Sequence, residues 1–241
     1  MGYLIIRTIP THEDIESGRL AGQTVIVIDV LRASTTIAAA FDAGFSTVIT
    51  VETEQEALSL KSENTILAGE RHCEKRKGFD YNNSPTEICK KRHDGESLIL
   101  MTTNGTKTIK KAELADHVLI GSFLNASSCA KKALAFSCDI TICCAGTRGE
   151  FALEDGLAAG YMIYLLKKRT DPVHVCDFSE MLEASYLQLA NQLPERLLTT
   201  TTGRRLVSKN YIDDIQFAGR LNRLNIVPFV KENRILPSVS S

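Results

Sequence analysis

Tryptophan is absent from the 241 residues, all aromatic residues together make up 6%, and neither sign of charge dominates: 28 Lys+Arg face 29 Asp+Glu, a formal charge of −1. A chain with no basic field and few stacking rings lacks both devices that nucleic-acid binders use, so that class is set aside. No apolar run approaches the ~18–20 residues of a membrane span. The opening MGYLIIRTIP is broken by Arg7, too early for a secretory apolar region. Ile6 also stands where a myristoylation motif requires Ser or Thr. The seven cysteines (73, 89, 129, 138, 143, 144 and 176) are odd in number and contain no CxxC pair. They read as reduced thiols of a cytoplasmic protein, not as a disulfide framework or zinc site. HExxH, the phosphate loop GxxxxGK[ST] and the DxDxT pattern of haloacid dehalogenase phosphatases are all missing as well.

What is present is a globular composition, 44% hydrophobic and 24% charged, at a length suited to one large α/β domain. Short, β-rich apolar runs recur at 24–30, 47–51, 65–68, 97–101, 116–120 and 139–145. They are apolar continuously, as strands buried on both faces are. Helical stretches at 34–43, 54–62, 106–115, 125–136 and 151–168 separate or follow them. That alternation predicts a doubly wound, mostly parallel sheet with helices on both faces. Beyond Pro172 the texture turns helical, at 177–192 and 213–221, with a break at Thr199–Gly203. The tail from Pro228 reads as an edge strand and a frayed end. The expectation is one domain over 1–241, with a C-terminal helical extension as a candidate subdomain at about 172–225.

In such a sheet, ligands bind beyond the carboxyl ends of the strands. Asp29 closes the first apolar run and is followed by Arg32, Ser34 and Thr35 at a helix start, a set that suits a cation and an oxyanion. A plain N-cap with an internal Asp29–Arg32 pair is the bland alternative. Glu70 and Arg71 close another run, where a surface ion pair is the alternative. Asn83 and Ser84 lie in a turn-rich loop and could donate to ligand oxygens or merely cap a helix. Asn104, Gly105 and Thr106 form a strand-to-helix turn rich in backbone N–H groups, suited to phosphate. Arg148 lies in a glycine-containing turn before Glu154 and Asp155. These two are helix neighbours about 100° apart, so only one is expected to face the crevice. Cys143 and Cys144 read as core residues. Among the histidines, His12, His93, His117 and His174 read as solvated surface groups, and His72 alone as a candidate lining residue. Together the carboxylates suggest a hard cation such as Mg²⁺, and the arginines a small polyanion.

In order along the chain, IDVLRASTT (28–36), GER (69–71), GFDYNNSP (78–85), TTNGT (102–106), FLNA (123–126) and CAGTRGEFALED (144–155) resemble the 2-phosphosulfolactate phosphatase family, with a weaker echo in DDIQFAGRLN (213–222) and IVP (226–228). The resemblance implies a Rossmann-like α/β fold and a Mg²⁺-dependent phosphatase. Its reaction converts 2-phospho-3-sulfolactate to 3-sulfolactate and phosphate, a step of coenzyme M biosynthesis. Joined to the residue reading, Asp29 with Glu154 or Asp155 is expected to hold Mg²⁺, with Glu70 joining directly or through water. Arg32 is expected to face the phosphoryl group. Ser34, Thr35, Asn104, Gly105 and Thr106 form the cradle, and Arg71 and Arg148 take the carboxylate and sulfonate. An aspartyl-phosphate route and direct attack by water both stay open. Two other readings compete: a metal-independent racemase using Cys143 or Cys144, and a phospho-ligand sensor without turnover. A homodimer is expected on base rates.

Overall fold

A computed structural model describes residues 3–238. Its elements, in chain order, begin with β1 (Leu4–Ile9), β2 (Thr24–Ile28), α1 (Ala33–Asp42), β3 (Thr47–Val51), α2 (Glu54–Ser59), β4 (Thr65–Arg71), β5 (Glu74–Lys75) and α3 (Pro85–Ile88). Next come β6 (Ser97–Met101), α4 (Gly105–Ala112), β7 (His117–Gly121), α5 (Ala126–Ala135), β8 (Ile140–Cys144), α6 (Leu153–Lys167) and β9 (Val173–Val175). Four helices follow, α7 (Asp177–Leu189), α8 (Leu193–Leu198), α9 (Thr201–Val207) and α10 (Ile212–Ala218), and then β10 (Phe229–Lys231) and β11 (Arg234–Leu236).

The strands form one sheet in the order β5-β4-β6-β3-β11-β10-β7-β2-β8-β1-β9. Two wholly parallel groups, β4-β6-β3 and β7-β2-β8-β1-β9, flank the antiparallel β10–β11 hairpin. The period-two geometry of a strand explains why TVIVI is apolar throughout. Ile26 and Ile28 enter the core beneath α5, α6 and α7, while Val25 and Val27 enter the one beneath α1 and α4. Each such side chain, fully buried, contributes roughly 1.5–3 kcal/mol. The fold is therefore α/β, mostly parallel, with helices on both faces. The C-terminal helices share the first core, to which α8 gives Leu197, α9 Leu206 and α10 Ile215. No helix among the described residues is long and apolar enough to cross a membrane.

Three expectations are corrected. The C-terminal tail is not an edge strand: β10 and β11 sit inside the sheet, joined to β7 through Phe229–Leu119 and to β3 through Ile235–Val48. Their turn needs left-handed backbone at Glu232 and Asn233 (φ 49° and 60°), and it lacks the Asn-Gly signal that would have announced it. The true edges are β5 and β9, neither predicted; β9 pairs with the equally unpredicted β1. The expected break at Thr199–Gly203 is confined to two residues, because the Thr200 hydroxyl caps α9 by accepting from Gly203 N. The final residues of the tail, expected to fray, lie outside the described residues.

Candidate active site

The loops after β2, β6 and β8 and the end of β4 enclose a cavity of about 270 Å³. Asp29, Arg32, Glu70, Arg71, Asn83, Asn104, Arg148, Glu154 and Asp155 all line it, so residues separated by up to 126 positions meet in one place (155 − 29). Asp29 follows β2 directly, and its carboxylate accepts the Ala33 N–H at the start of α1 (3.3 Å). Gly105, at the start of α4, packs against that carboxylate so closely that a Cβ there would lie 2.8 Å from Asp29 Oδ2. Glycine is required at 105 by this approach, not by its backbone angles.

Both Glu154 and Asp155 line the cavity, which corrects the expectation that only one would. They differ in what they already hold. Asp155 Oδ1 accepts the Val30 N–H (2.8 Å) and Oδ2 the Gly146 N–H (3.1 Å), tying the β2 and β8 loops together. Glu154 is just as buried, and its carboxylate makes no hydrogen bond among the described residues. Glu70 accepts from the Cys73 N–H (2.7 Å) and the Thr103 hydroxyl (3.3 Å).

The carboxylates strain against one another. Burial, then the charges of Glu70 and Glu154, push Asp29 up to about 7, against the opposing pull of the Ala33 N–H and Arg32. Asp155 is pushed well above the ordinary carboxylate range by burial first, and then by Asp29 and Glu154. Arg32 is buried and ion-paired, but not with Asp29 as the bland reading had it. Its Nη1 donates to Asp214 of α10 (2.7 Å), and its guanidinium lies over the Tyr211 ring, 4.5 Å from the centroid. Asp214, itself fully buried, also accepts from the Ser84 hydroxyl (2.8 Å) and from the N–H and hydroxyl of Thr86.

Several proposed cradle residues do not line the cavity. The Ser34 hydroxyl donates to the Asp29 carbonyl, and that of Thr35 to the Val30 carbonyl, so both brace the turn that presents Asp29. Ser84 caps α3 and donates to Asp214. Thr106 bonds to Thr102 and to the Val51 carbonyl, and Gly105 contributes room, not a contact. The histidines also need correction: His12 and His93 are buried, the first with Nδ1 3.0 Å from the Ala145 carbonyl, the second stacked on Phe45. His72 does line the cavity.

Cys143 and Cys144 alternate to opposite cores and are absent from the cavity wall. Burial pushes the Cys143 thiol up to about 12 and Cys144 well above the ordinary thiol range. Thiolates are therefore unavailable there for racemase chemistry. Cys144→Ala is expected to keep kcat within about threefold of the parent while costing stability of order 1 kcal/mol; a steady-state assay beside a melting curve checks this.

The sequence reading missed Thr202 and Arg205, which line the cavity from one face of α9 three residues apart, as well as Cys73 and Thr147. It also missed Asp214, Asn82 and Tyr211, which hold Arg32. The Asp213–Asp214 pair opening a helix reads as an ordinary response to the helix dipole, and only the echo at 213–222 touched it.

Among the described residues, no three His, Cys, Asp or Glu side chains form a ready-made metal cage. Mg²⁺ does not require one. It takes one or two carboxylates, keeps several waters and completes its shell with substrate phosphate. Asp29 and the hydrogen-bond-free Glu154 suit that pattern, and so does the mutual repulsion of the buried carboxylates.

A polar cavity at the strand ends of a mostly parallel sheet, bringing crowded carboxylates together with guanidiniums, defines an α/β enzyme built for a small, multiply charged anion. Comparison with known proteins narrows the class. Residues 9–233 match the profile of the 2-phosphosulpholactate phosphatase family. Probable 2-phosphosulfolactate phosphatases of similar sequence come from Symbiobacterium thermophilum (34% identity, 90% of this chain and 95% of the relative) and Caldanaerobacter subterraneus (34%, 98% and 99%). A third, from Thermotoga maritima, is 37% identical over 86% of this chain and 88% of its own. The chain belongs to the 2-phosphosulpholactate phosphatase family, a family of phosphoric monoester hydrolases.

Proposed function

We propose that the protein is a Mg²⁺-dependent phosphatase that hydrolyses 2-phospho-3-sulfolactate to 3-sulfolactate and phosphate. The observation that carries this reading is the meeting of Asp29, Glu70, Glu154 and Asp155 with Arg71, Arg148 and Arg205 in one cavity. A site for a metal and an anion needs both signs of charge side by side, and the protein's net charge of −1 supplies neither. Asp29 and Glu154 would hold the cation, and Asp155 fixes the two loops that present them. When bound, Mg²⁺ would neutralise phosphoryl oxygens and offset the charge developing on the leaving oxygen. Glu70, held by the Cys73 N–H and the Thr103 hydroxyl, is oriented to take a proton from an attacking water. Arg32, locked by Asp214, keeps a fixed positive charge beside the reacting group at no reorganisation cost. Arg148, Asn83 and Asn104 supply further donors. Asn83 is buried with its amide oxygen unpartnered among the described residues, an acceptor free for a protonated group or a bound water, while its amide nitrogen is the donor.

Phosphate release from 2-phospho-3-sulfolactate, 2-phospholactate and phosphoserine, each with Mg²⁺ and with EDTA, tests the proposal. Turnover of the first, abolished by EDTA and restored by Mg²⁺, is expected. Binding without phosphate release would favour a sensor, and turnover in EDTA would remove the metal from the account.

The carboxylate cluster also predicts a pH signature. The folded protein holds the Asp29 proton more tightly (about 7) than a free aspartate does (3.8). The stability this contributes is fully present below about pH 4 and is lost as the pH rises through 7. A cation relieves the repulsion only where the carboxylates are ionised. At one fixed Mg²⁺ concentration, about 100 times the Kd at pH 8, the melting midpoint is expected to rise roughly 5–10 °C at pH 8 and by little at pH 5, where protonated carboxylates weaken binding. Equal shifts at both pH values would contradict this assignment.

A further inference from the structure

Asn82 is fully buried and stands behind the cavity wall, not in it. Its side chain uses every hydrogen-bonding position an amide offers, two on the oxygen and two on the nitrogen. Oδ1 accepts from the Asn83 N–H (2.7 Å) and from Arg32 Nη2 (3.4 Å), while Nδ2 donates to the Cys73 carbonyl (3.1 Å) and to the Tyr211 hydroxyl. The backbone here is fixed as well: the Asn82 N–H donates to Glu87 of α3 (3.1 Å), and the preceding Tyr81 bridges Ala68 of β4. Of these partners Arg32 needs Asn82 least, because Asp214 at 2.7 Å and the Tyr211 ring already hold that guanidinium. Cys73 needs it most.

His72 and Cys73 form the two-residue turn between β4 and β5, and both have left-handed backbone (φ 57° and 67°). Asn-Gly is the usual occupant of such a turn, because a side chain is crowded in that conformation. Neither residue here is glycine. Backbone of this kind persists only where its surroundings over-determine it, and it gathers at working sites. Cys73 is held from two sides: its carbonyl receives the Asn82 amide, and its N–H donates to Glu70 Oε2 (2.7 Å). One residue thus joins the buried amide to a carboxylate of the cavity wall.

Resting on the function proposed above, we infer that Asn82 is a positioning residue for Glu70, the base that takes a proton from the attacking water. By clamping the Cys73 carbonyl it keeps the left-handed turn in place, and the turn's N–H keeps the Glu70 carboxylate presented to the cavity. Asn82 itself stands clear of the substrate. The Tyr211 hydroxyl, at the start of α10, fixes the orientation of the amide. The C-terminal helices therefore reach Glu70 as well as Arg32, and they do so through one side chain.

The test is a double-mutant cycle on phosphate release from 2-phospho-3-sulfolactate in the presence of Mg²⁺. Asn82→Ala is expected to lower kcat roughly 10–100-fold, a large part of what a positioned base supplies. KM should change by less than about threefold, because Arg32 keeps Asp214 and Tyr211. In a Cys73→Gly background, where the turn needs no clamp, the same Asn82→Ala change is expected to cost less than about threefold in kcat. An asparagine with a merely structural role would cost the same in both backgrounds. That equality, a loss carried by KM, or an unchanged kcat would overturn the assignment while leaving the proposed function standing. A parent enzyme that releases no phosphate would overturn both. Should the alanine variants fail to fold, Tyr211→Phe reads the same link, since it keeps the ring over Arg32 and removes only the oxygen that fixes the Asn82 amide. A severalfold fall in kcat at unchanged KM supports the role, and an unchanged kcat refutes it.

Discussion

Asp29→Asn is expected to lower kcat/KM by roughly a thousandfold or more while leaving the fold as stable as before, or more so. The two halves of this result have one cause. Asp29 supplies a negative charge in a buried setting where that charge is costly, as its shift to about 7 records. Removing it would take away a ligand of the proposed cation, and with it several kcal/mol of charge stabilisation in the transition state. It also removes like-charge repulsion with Glu70 and Glu154. Asparagine keeps an oxygen to accept the Ala33 N–H and adds no bulk beside Gly105, so the turn should survive. Melting curves at pH 8 and phosphate-release kinetics check the pair of outcomes together. Loss of activity accompanied by a lower melting midpoint would mean that Asp29 holds the loop in shape and does not serve the chemistry.

Asp214→Ala, behind the cavity wall, is expected to have the opposite balance, with a large loss of stability. Asp214 and Arg32 are 0% and 2% exposed, so deleting the carboxylate strands a guanidinium in the interior. Breaking one partner out of a buried pair costs about 3–5 kcal/mol, or roughly 10 °C in the melting midpoint at this chain length. The Ser84 and Thr86 donors lose their acceptor at the same time. Turnover should fall as well, because Arg32 is then free to leave its place over Tyr211. Thermal melting with kinetics at a temperature where the variant is folded separates the two effects. A change under 1 kcal/mol would show that the ion pair does not hold α10 to the site.

Much of this architecture was legible in the sequence because it rests on local signals. TVIVI at β2 reads as a doubly buried strand, and Asp29 stands out as the one carboxylate ending it. Glu70, Arg148 and Glu154 could be placed at strand ends for the same reason. What escaped depended on contacts between distant segments. The β10–β11 hairpin takes its place inside the sheet from its neighbours, and neither its short strands nor its Glu232–Asn233 turn announces that. Hydroxyls cannot be told apart by spacing alone: those of Ser34 and Thr106 turn inward to backbone and side-chain partners, while Thr202, far along the chain on α9, lines the cavity. Arg32 was readable as an important cation, but its partner Asp214 was not, because 182 positions separate them.

The most direct test is anomalous diffraction from crystals soaked in Mn²⁺, which serves as a heavier substitute for Mg²⁺, together with inorganic phosphate. The account predicts one strong metal peak between Asp29 and Glu154, with phosphate oxygens completing its coordination, and no such peak in Asp29→Asn crystals. A metal bound elsewhere with that cavity empty, or phosphate seated there while Mn²⁺ stays out, would contradict it.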